Sequence, residues 1–237
     1  MPSTVPSTVP SSEADPAALS GVKVLTLPAA VAAGANGEAT GAGTKGALAE
    51  ATDRLWLAQH AIWHGRSRAE IRNHPRVAAY RAFSKRIGVD PDRFPPSIQA
   101  LIDRGLRNKP AGGWPHVNPV VDAVNAVAVT DLAALGVFDA EQVTGEVRLT
   151  TSQGGEEFLA LGADEVTRLE PGRLVLADDL RVLSLFGHRD GVHQMVTDAT
   201  RRVILLGCVV PGVDADSVAA GLTRTAALLT DPTGARS

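Results

Sequence analysis

Residues 115–143 read PHVNPVVDAVNAVAVTDLAALGVFDAEQV, and the fold turns on how this run divides. Asn118 can cap a helix, and Pro119 suits its first position, where a missing N–H costs nothing. The stretch 118–129 is therefore a helix, or a helix leading into a strand. Asn118, Asp122 and Asn125 are spaced four and three apart, which places them on one helix face. They stand among Val120, Val121, Val124 and Val127, so that face is not an ordinary solvent face. Two readings stay open: a polar wall inside an apolar pocket, or a cap with its own hydrogen-bond network.

Downstream the pattern becomes short alternating runs with turn signals between them. Strands are expected at 146–151, 156–161, 173–177, 181–186 and 202–210. Their uneven spacing fits a mixed or antiparallel sheet rather than regular β-α units. Residues 217–229 form a closing amphipathic helix, with Val218, Leu222, Thr225, Ala226 and Leu229 on one side. Upstream, helices are expected at 46–63, at 68–87 and from Ser97 to about 106. Pro75 must start or break the second, Gly88 caps it, and Ser97 is the candidate cap of the third. Trp56 and Trp63 lie seven apart on the first helix and read as core. Residues 22–35 resemble a late signal peptide only weakly, and a strand followed by a Gly-rich loop from 34 to 46 is preferred. The opening PSTVPSTVPSS makes 1–20 a Pro/Ser/Thr-rich disordered tail. The class is α+β: a central mixed or antiparallel sheet flanked by helices. Residues 21–237 make one domain, with a basic helical part at 46–110, a sheet-rich part at 111–210 and the closing helix at 216–229.

The chain has 237 residues, 44% hydrophobic and 21% charged, which suits a globular domain. No window approaches the roughly 20 apolar residues of a membrane helix, so no membrane partner is expected. One cysteine, Cys208, excludes an intramolecular disulfide framework, and aromatics at 4% make a long stacking platform for single strands improbable. The net charge of −3 hides an asymmetry. Residues 66–109 carry eleven Lys and Arg against four acids, on a body that is acidic elsewhere. Such a segment can steer an anionic partner, or can be a solvated helical face that contacts the acidic body.

Generic chemical motifs are missing: there is no phosphate loop ending in Lys-Ser/Thr, no GxSxG and no HExxH. His60 and His64 could share a helix face, but no carboxylate completes a metal set. No metal and no organic cofactor is expected. The turn GHRDGVH brings His188, Arg189 and Asp190 together between strands. An imidazole beside a carboxylate can do general-base work near neutral pH, and an Arg–Asp pair can equally just hold a turn.

The run 115–143, with its NPVVD, Asn125 and Phe138–Asp139, resembles the opening of the central editing domain in the β subunit of phenylalanyl-tRNA synthetase. Residues 146–162 (EVRLTTSQGGEEFLALG), 172–178 (GRLVLAD) and 197–206 (TDATRRVILL) resemble its later strands. Upstream, 71–106 is similar to small freestanding relatives of that domain, through an AYR segment, a G-x-DP turn and a PS-x-x-AL helix. The family domain hydrolyses tyrosine mischarged onto phenylalanine tRNA, a second sieve. Two departures stand out. Gly136 occupies the position of the family histidine, and Phe186–Gly187–His188 replaces a Gly-Gly turn.

The resemblance implies an editing-like hydrolase that cleaves an aminoacyl ester, in the cytoplasm. The amino-acid moiety would sit in a central pocket among Asn118, Asp122, Asn125 and His116, with Tyr80 and Arg81 reaching it from the AYR segment. His188 or Asp190 would orient a water, and Arg189 would stabilise the oxyanion or bind the terminal phosphate. The segment 66–109 would contact tRNA, with affinity falling roughly tenfold or more between 50 and 200 mM salt. The alternatives are a small-molecule enzyme acting on an amino acid or derivative with the same pocket, and a non-catalytic binder of amino acids or aminoacyl-tRNA.

Overall fold

The computed structural model describes residues 5–9, 20–33 and 46–234. Most of the expected tail (1–4 and 10–19) and of the expected Gly-rich loop (34–45) lies outside the described residues.

Two antiparallel sheets organise the chain. The first has the order β1 (Ser7–Thr8), β2 (Lys23–Ala30), β10 (Arg202–Val209), β3 (Ala134–Asp139). All its pairings are antiparallel, with Cys208 opposite both Val24 and Ala134, and Leu206 opposite Gly136. The second sheet runs β4 (Arg148–Thr151), β7 (Leu174–Ala177), β8 (Val182–Leu185), β9 (Arg189–Asp190). A short ribbon pairs β5 (Glu157–Phe158) with β6 (Thr167–Arg168). The class is α+β, and the sheets are antiparallel throughout rather than mixed.

β10 is the central strand and reads RVILLGCV, almost unbroken in apolar residues, because both of its faces are covered. Along one face run Val203, Leu205 and Gly207, against helix α6 (Ala215–Thr230). A Cβ at Gly207 would stand 2.5 Å from Val218 Cγ1, so the close approach of α6 to the sheet needs a glycine there. Helix α5 (Pro119–Asp131) packs against α6, β3 and helix α1 (Ala47–Trp63). Asn118 caps α5 as read from sequence, its side chain accepting from the Val121 N–H at 2.9 Å. Trp56 and Trp63 are buried in a cluster with Ile102, Leu106 and Trp114.

Two expectations change and one open choice is resolved. Pro75 breaks the stretch 68–87 into two helices, α2 (Arg68–Asn73) and α3 (Pro75–Arg86), because His74 turns extended before it. α2 starts with a capping box that the sequence reading passed over: the Glu70 carboxylate accepts from the Ser67 N–H and from Arg66, and these bonds lower its pKa to about 2. In α4 (Ser97–Gly105), Ser97 is the first helical residue and Pro96 the cap, so no side chain caps that helix. Within the expected tail, Ser7 and Thr8 pair with Thr26 and Leu25.

Candidate functional site

The other face of the first sheet is the floor of a cavity of about 330 Å³. Strand alternation decides which residues reach it. Leu135 turns toward Gly221 on α6, so Ala134, Gly136 and Phe138 turn the opposite way. Val24, Leu206 and Cys208 complete the floor from β2 and β10. Tyr80, Phe83 and Ser84 come from α3, and Pro95, Pro96, Ser97, Ala100 and Arg104 come from α4 and the turn before it. The second sheet adds Leu176, Ser184 and the run Phe186–Asp190. The interior is therefore apolar and aromatic, and the polar groups gather toward the second sheet's turn.

Tyr80 ties the floor together. Its hydroxyl donates to the Cys208 carbonyl at 2.8 Å and accepts from the Ala134 N–H at 3.0 Å. Burial raises its phenol well above the ordinary range, so it stays protonated. The same desolvation pushes the Cys208 thiol up to about 12, which makes it a poor nucleophile. His188 stands edge-on to the Phe94 ring, with centroids 4.4 Å apart. Burial, then the charges of Arg189, Arg173 and Arg93, depress its pKa below the usual imidazole value, so it is neutral at pH 7. Asp190 keeps solvent access but sits deep enough among protein atoms for desolvation to raise its carboxyl, with the Ser184 hydroxyl opposing that shift.

The nine residues singled out from the sequence separate into three groups. Tyr80, His188, Arg189 and Asp190 line one cavity. Arg81 lies beside it without lining it. Its guanidinium donates to the Pro91 carbonyl, to Gln99 Oε1 and to Asp92 Oδ1 at 2.7–3.0 Å, and so pins the 90–96 turn to α4. Asn118, Asp122, Asn125 and His116 lie elsewhere. No residue of α5 lines the cavity, because α5 packs on α1, α6 and β3. The expected convergence of the amide-and-acid face with the 188–190 turn is thus corrected.

The physical reason is local. The Asp122 carboxylate is consumed by its own neighbourhood, accepting from the Val117 N–H at 2.8 Å and pairing with His116 Nδ1 at 3.0 Å. Asn118, besides capping, donates to the Val196 carbonyl. His116, Pro119 and Asp122 border a separate hollow with Ala49, Thr52 and Asp53. His60 and His64 stack on one another and bond the carbonyls of Lys109 and Leu106, and among the described residues no three His, Cys, Asp or Glu side chains form a metal cage.

Sequence reasoning missed Ser184, Phe83, Phe186 and Arg104 as lining residues. Ser184 carried a signal, being a polar residue at an inward position of the run RVLSLF.

The B3/4 domain family matches residues 79–234, which include every strand that frames the cavity except β2. The phenylalanine–tRNA ligase beta subunit of Cereibacter sphaeroides is 31% identical over 112 residues, covering 43% of this chain and 14% of that protein. That of Shewanella oneidensis is 34% identical over 93 residues, covering 39% and 12%. The chain therefore spans well under a fifth of the length of these relatives. Among solved structures, an N-terminal fragment of the phenylalanyl-tRNA synthetase beta-subunit from Pyrococcus horikoshii aligns with a TM-score of 0.39 at 16% identity, over 53% of this chain and 43% of that one.

Proposed function

The chain belongs to the B3/4 domain family, and from that premise we propose that its cavity receives the amino-acid end of an aminoacyl ester, on tRNA, and hydrolyses it. One observation carries the reading. An apolar cavity of about 330 Å³ shares its rim with an imidazole held neutral at pH 7. That volume lies at the small end of the ~300–1,000 Å³ range of ligand pockets, which suits a single amino-acid moiety.

The chemistry uses the chain's own groups. Phe83, Phe138, Phe186 and Leu206 hold the side chain of the amino acid by apolar contact. Neutral His188 takes a proton from water as the water oxygen attacks the ester carbonyl. The tetrahedral intermediate collapses, the ester C–O bond breaks, and the proton passes to the leaving ribose oxygen. The products are a free amino acid and an uncharged 3′ end. Arg189 offers its guanidinium to the oxyanion. Asp190, beside it on the same strand, hydrogen-bonds the substrate amine. The relatives named above are subunits of a ligase acting on tRNA, and a cytoplasmic location follows from this reading; among the described residues no helix is long and apolar enough to cross a membrane.

The test is deacylation of a panel of mischarged tRNAs by the parent and by His188→Ala. Accelerated release that the variant loses by a hundredfold or more supports the reading. A second reading, binding without turnover, is favoured by Gly136, which leaves the floor without a polar group where the family pattern has histidine. Tight amino-acid binding with every ester lifetime unchanged would select it.

A further inference from the structure

The basic residues do not form an even surface. Five of the eleven in the 66–109 segment are committed within the protein. Arg66 pairs with Glu70, Arg72 and Arg81 with Asp92, and Arg107 with Asp103, while Arg76 bonds the Asp131 carbonyl and Ser217. Of the rest, Arg93 and Arg104 stand at the cavity. Both are exposed, and among the described residues neither has a carboxylate within ion-pair distance. Arg104 lines the cavity. The Arg93 guanidinium lies 5.0 Å over Phe94, the ring that touches His188.

Two further arginines reach the same rim from the second sheet. Arg189 lines the cavity beside His188. Arg173 immediately precedes Leu174, whose carbonyl accepts from the Phe186 N–H at 3.0 Å, so it sits beside the 186–188 turn. It too is exposed and free of ion pairs among the described residues. Asp190 is the one acid among the described lining residues. Four guanidiniums from three parts of the chain thus surround one opening against a single lining carboxylate. Clustering of this kind costs repulsion in the empty protein and is relieved by an anion.

We propose that the rim formed by Arg93, Arg104, Arg173 and Arg189 is a phosphodiester subsite, so that the cavity takes an aminoacyl nucleotide and discriminates against the free amino acid. The inference rests on the reading of the cavity given above and extends it. A planar guanidinium donates two parallel N–H bonds to phosphate oxygens, and several of them bind tightly where water is partly excluded. The subsite would position the ester at His188 by holding the charged group on the far side of the ribose. It would also explain why a chain of net charge −3 keeps these cations together.

The test uses non-hydrolysable probes: the twenty 3′-aminoacylamino-3′-deoxyadenosines, each with a free 5′-hydroxyl and as its 5′-(methyl phosphate) diester. Affinities are measured by calorimetry at 50 and 500 mM salt. The expected result is that at least one aminoacyl group binds, that its diester binds tenfold or more tightly than its hydroxyl form at 50 mM, and that the advantage shrinks at 500 mM. It also shrinks to less than threefold in the double variant Arg104→Gln/Arg189→Gln, whose positions are exposed and outside the core. Equal binding of diester and hydroxyl forms overturns the subsite and leaves the amino-acid cavity standing. An advantage undiminished in the double variant also overturns it, because the phosphate then lies elsewhere. No binding in either series overturns the cavity reading itself. Competition by a whole charged tRNA, tighter than the mononucleotide diester, assigns the phosphodiester to an RNA end rather than to a free nucleotide.

Discussion

Replacing Tyr80 with phenylalanine removes one oxygen and, by this structure, two hydrogen bonds. The hydroxyl lies between the Ala134 N–H and the Cys208 carbonyl, and these two residues face one another across the β3–β10 ladder. The ring, 3% exposed and packed in the main core, stays in place in the variant. What changes is that a backbone donor and a backbone acceptor lose their common partner. Each group costs about 1–3 kcal/mol when left unpaired. β3 is the outer strand of its sheet, so its Ala134 end can shift toward Cys208 or take up water from the cavity, and part of that cost is recovered. A net loss of about 2–3 kcal/mol is expected. For a chain of this size, Tm falls by about 2–4 °C per kcal/mol, so the drop is about 4–12 °C. Thermal and urea unfolding of Tyr80→Phe against the parent measure it, with m unchanged. Amide exchange at Ala134 should accelerate tenfold or more, while exchange at Leu205, in the middle of β10, changes only with global stability. A variant within 1 °C of the parent, with Ala134 equally protected, would refute the idea that the phenol links helix α3 to the cavity floor.

Other outcomes follow from the same contacts. Deacylation, corrected for spontaneous hydrolysis, should rise with pH only below the ordinary imidazole value of 6.5 and be flat from pH 7, because His188 must be neutral to act and its pKa is depressed by burial and then by three arginines. Arg93→Gln removes one of those charges and should move that limb upward; a limb at or above 6.5 in the parent contradicts the assignment. Gly207→Ala drives a methyl to 2.5 Å from Val218 Cγ1 and should lose about 1–3 kcal/mol in denaturant unfolding, whereas Gly136→Ala, whose methyl meets Leu206 at an ordinary 3.7 Å, should unfold as the parent does. Asp122→Ala strands the Val117 N–H and the His116 ring, and should lower stability by about 1–3 kcal/mol without changing the pH profile of deacylation; an altered profile would return α5 to the site.

The contrast between Asp122 and Asp190 shows how far the sequence could be read. Capping at Asn118, the break before Pro75 and the central strand at 202–210 were legible because local rules set them: a missing N–H, a side-chain acceptor, a run of apolar residues. The face carrying Asn118, Asp122 and Asn125 was legible as well, but its destination was not. Helical spacing states which residues share a side and says nothing of which layer that side meets. Here α5 meets α1 and α6, and Asp122 satisfies an N–H five residues before it. An acid in the first turn of a helix is favoured there by capping and by the helix dipole alone, so it carries little information about a site. Asp190 has no such local use. It stands on a two-residue strand, paired with Ser184, where neither periodicity nor propensity asks for a carboxylate. The same contrast separates Arg66, which an i+4 glutamate accounts for, from Arg104 and Arg173, which have no ion-pair partner nearby in sequence among the described residues. The proposed rim is thus marked by charged residues left over once local structure has taken its share, and their convergence appears only when α4, the turn before it and the second sheet are brought together in space.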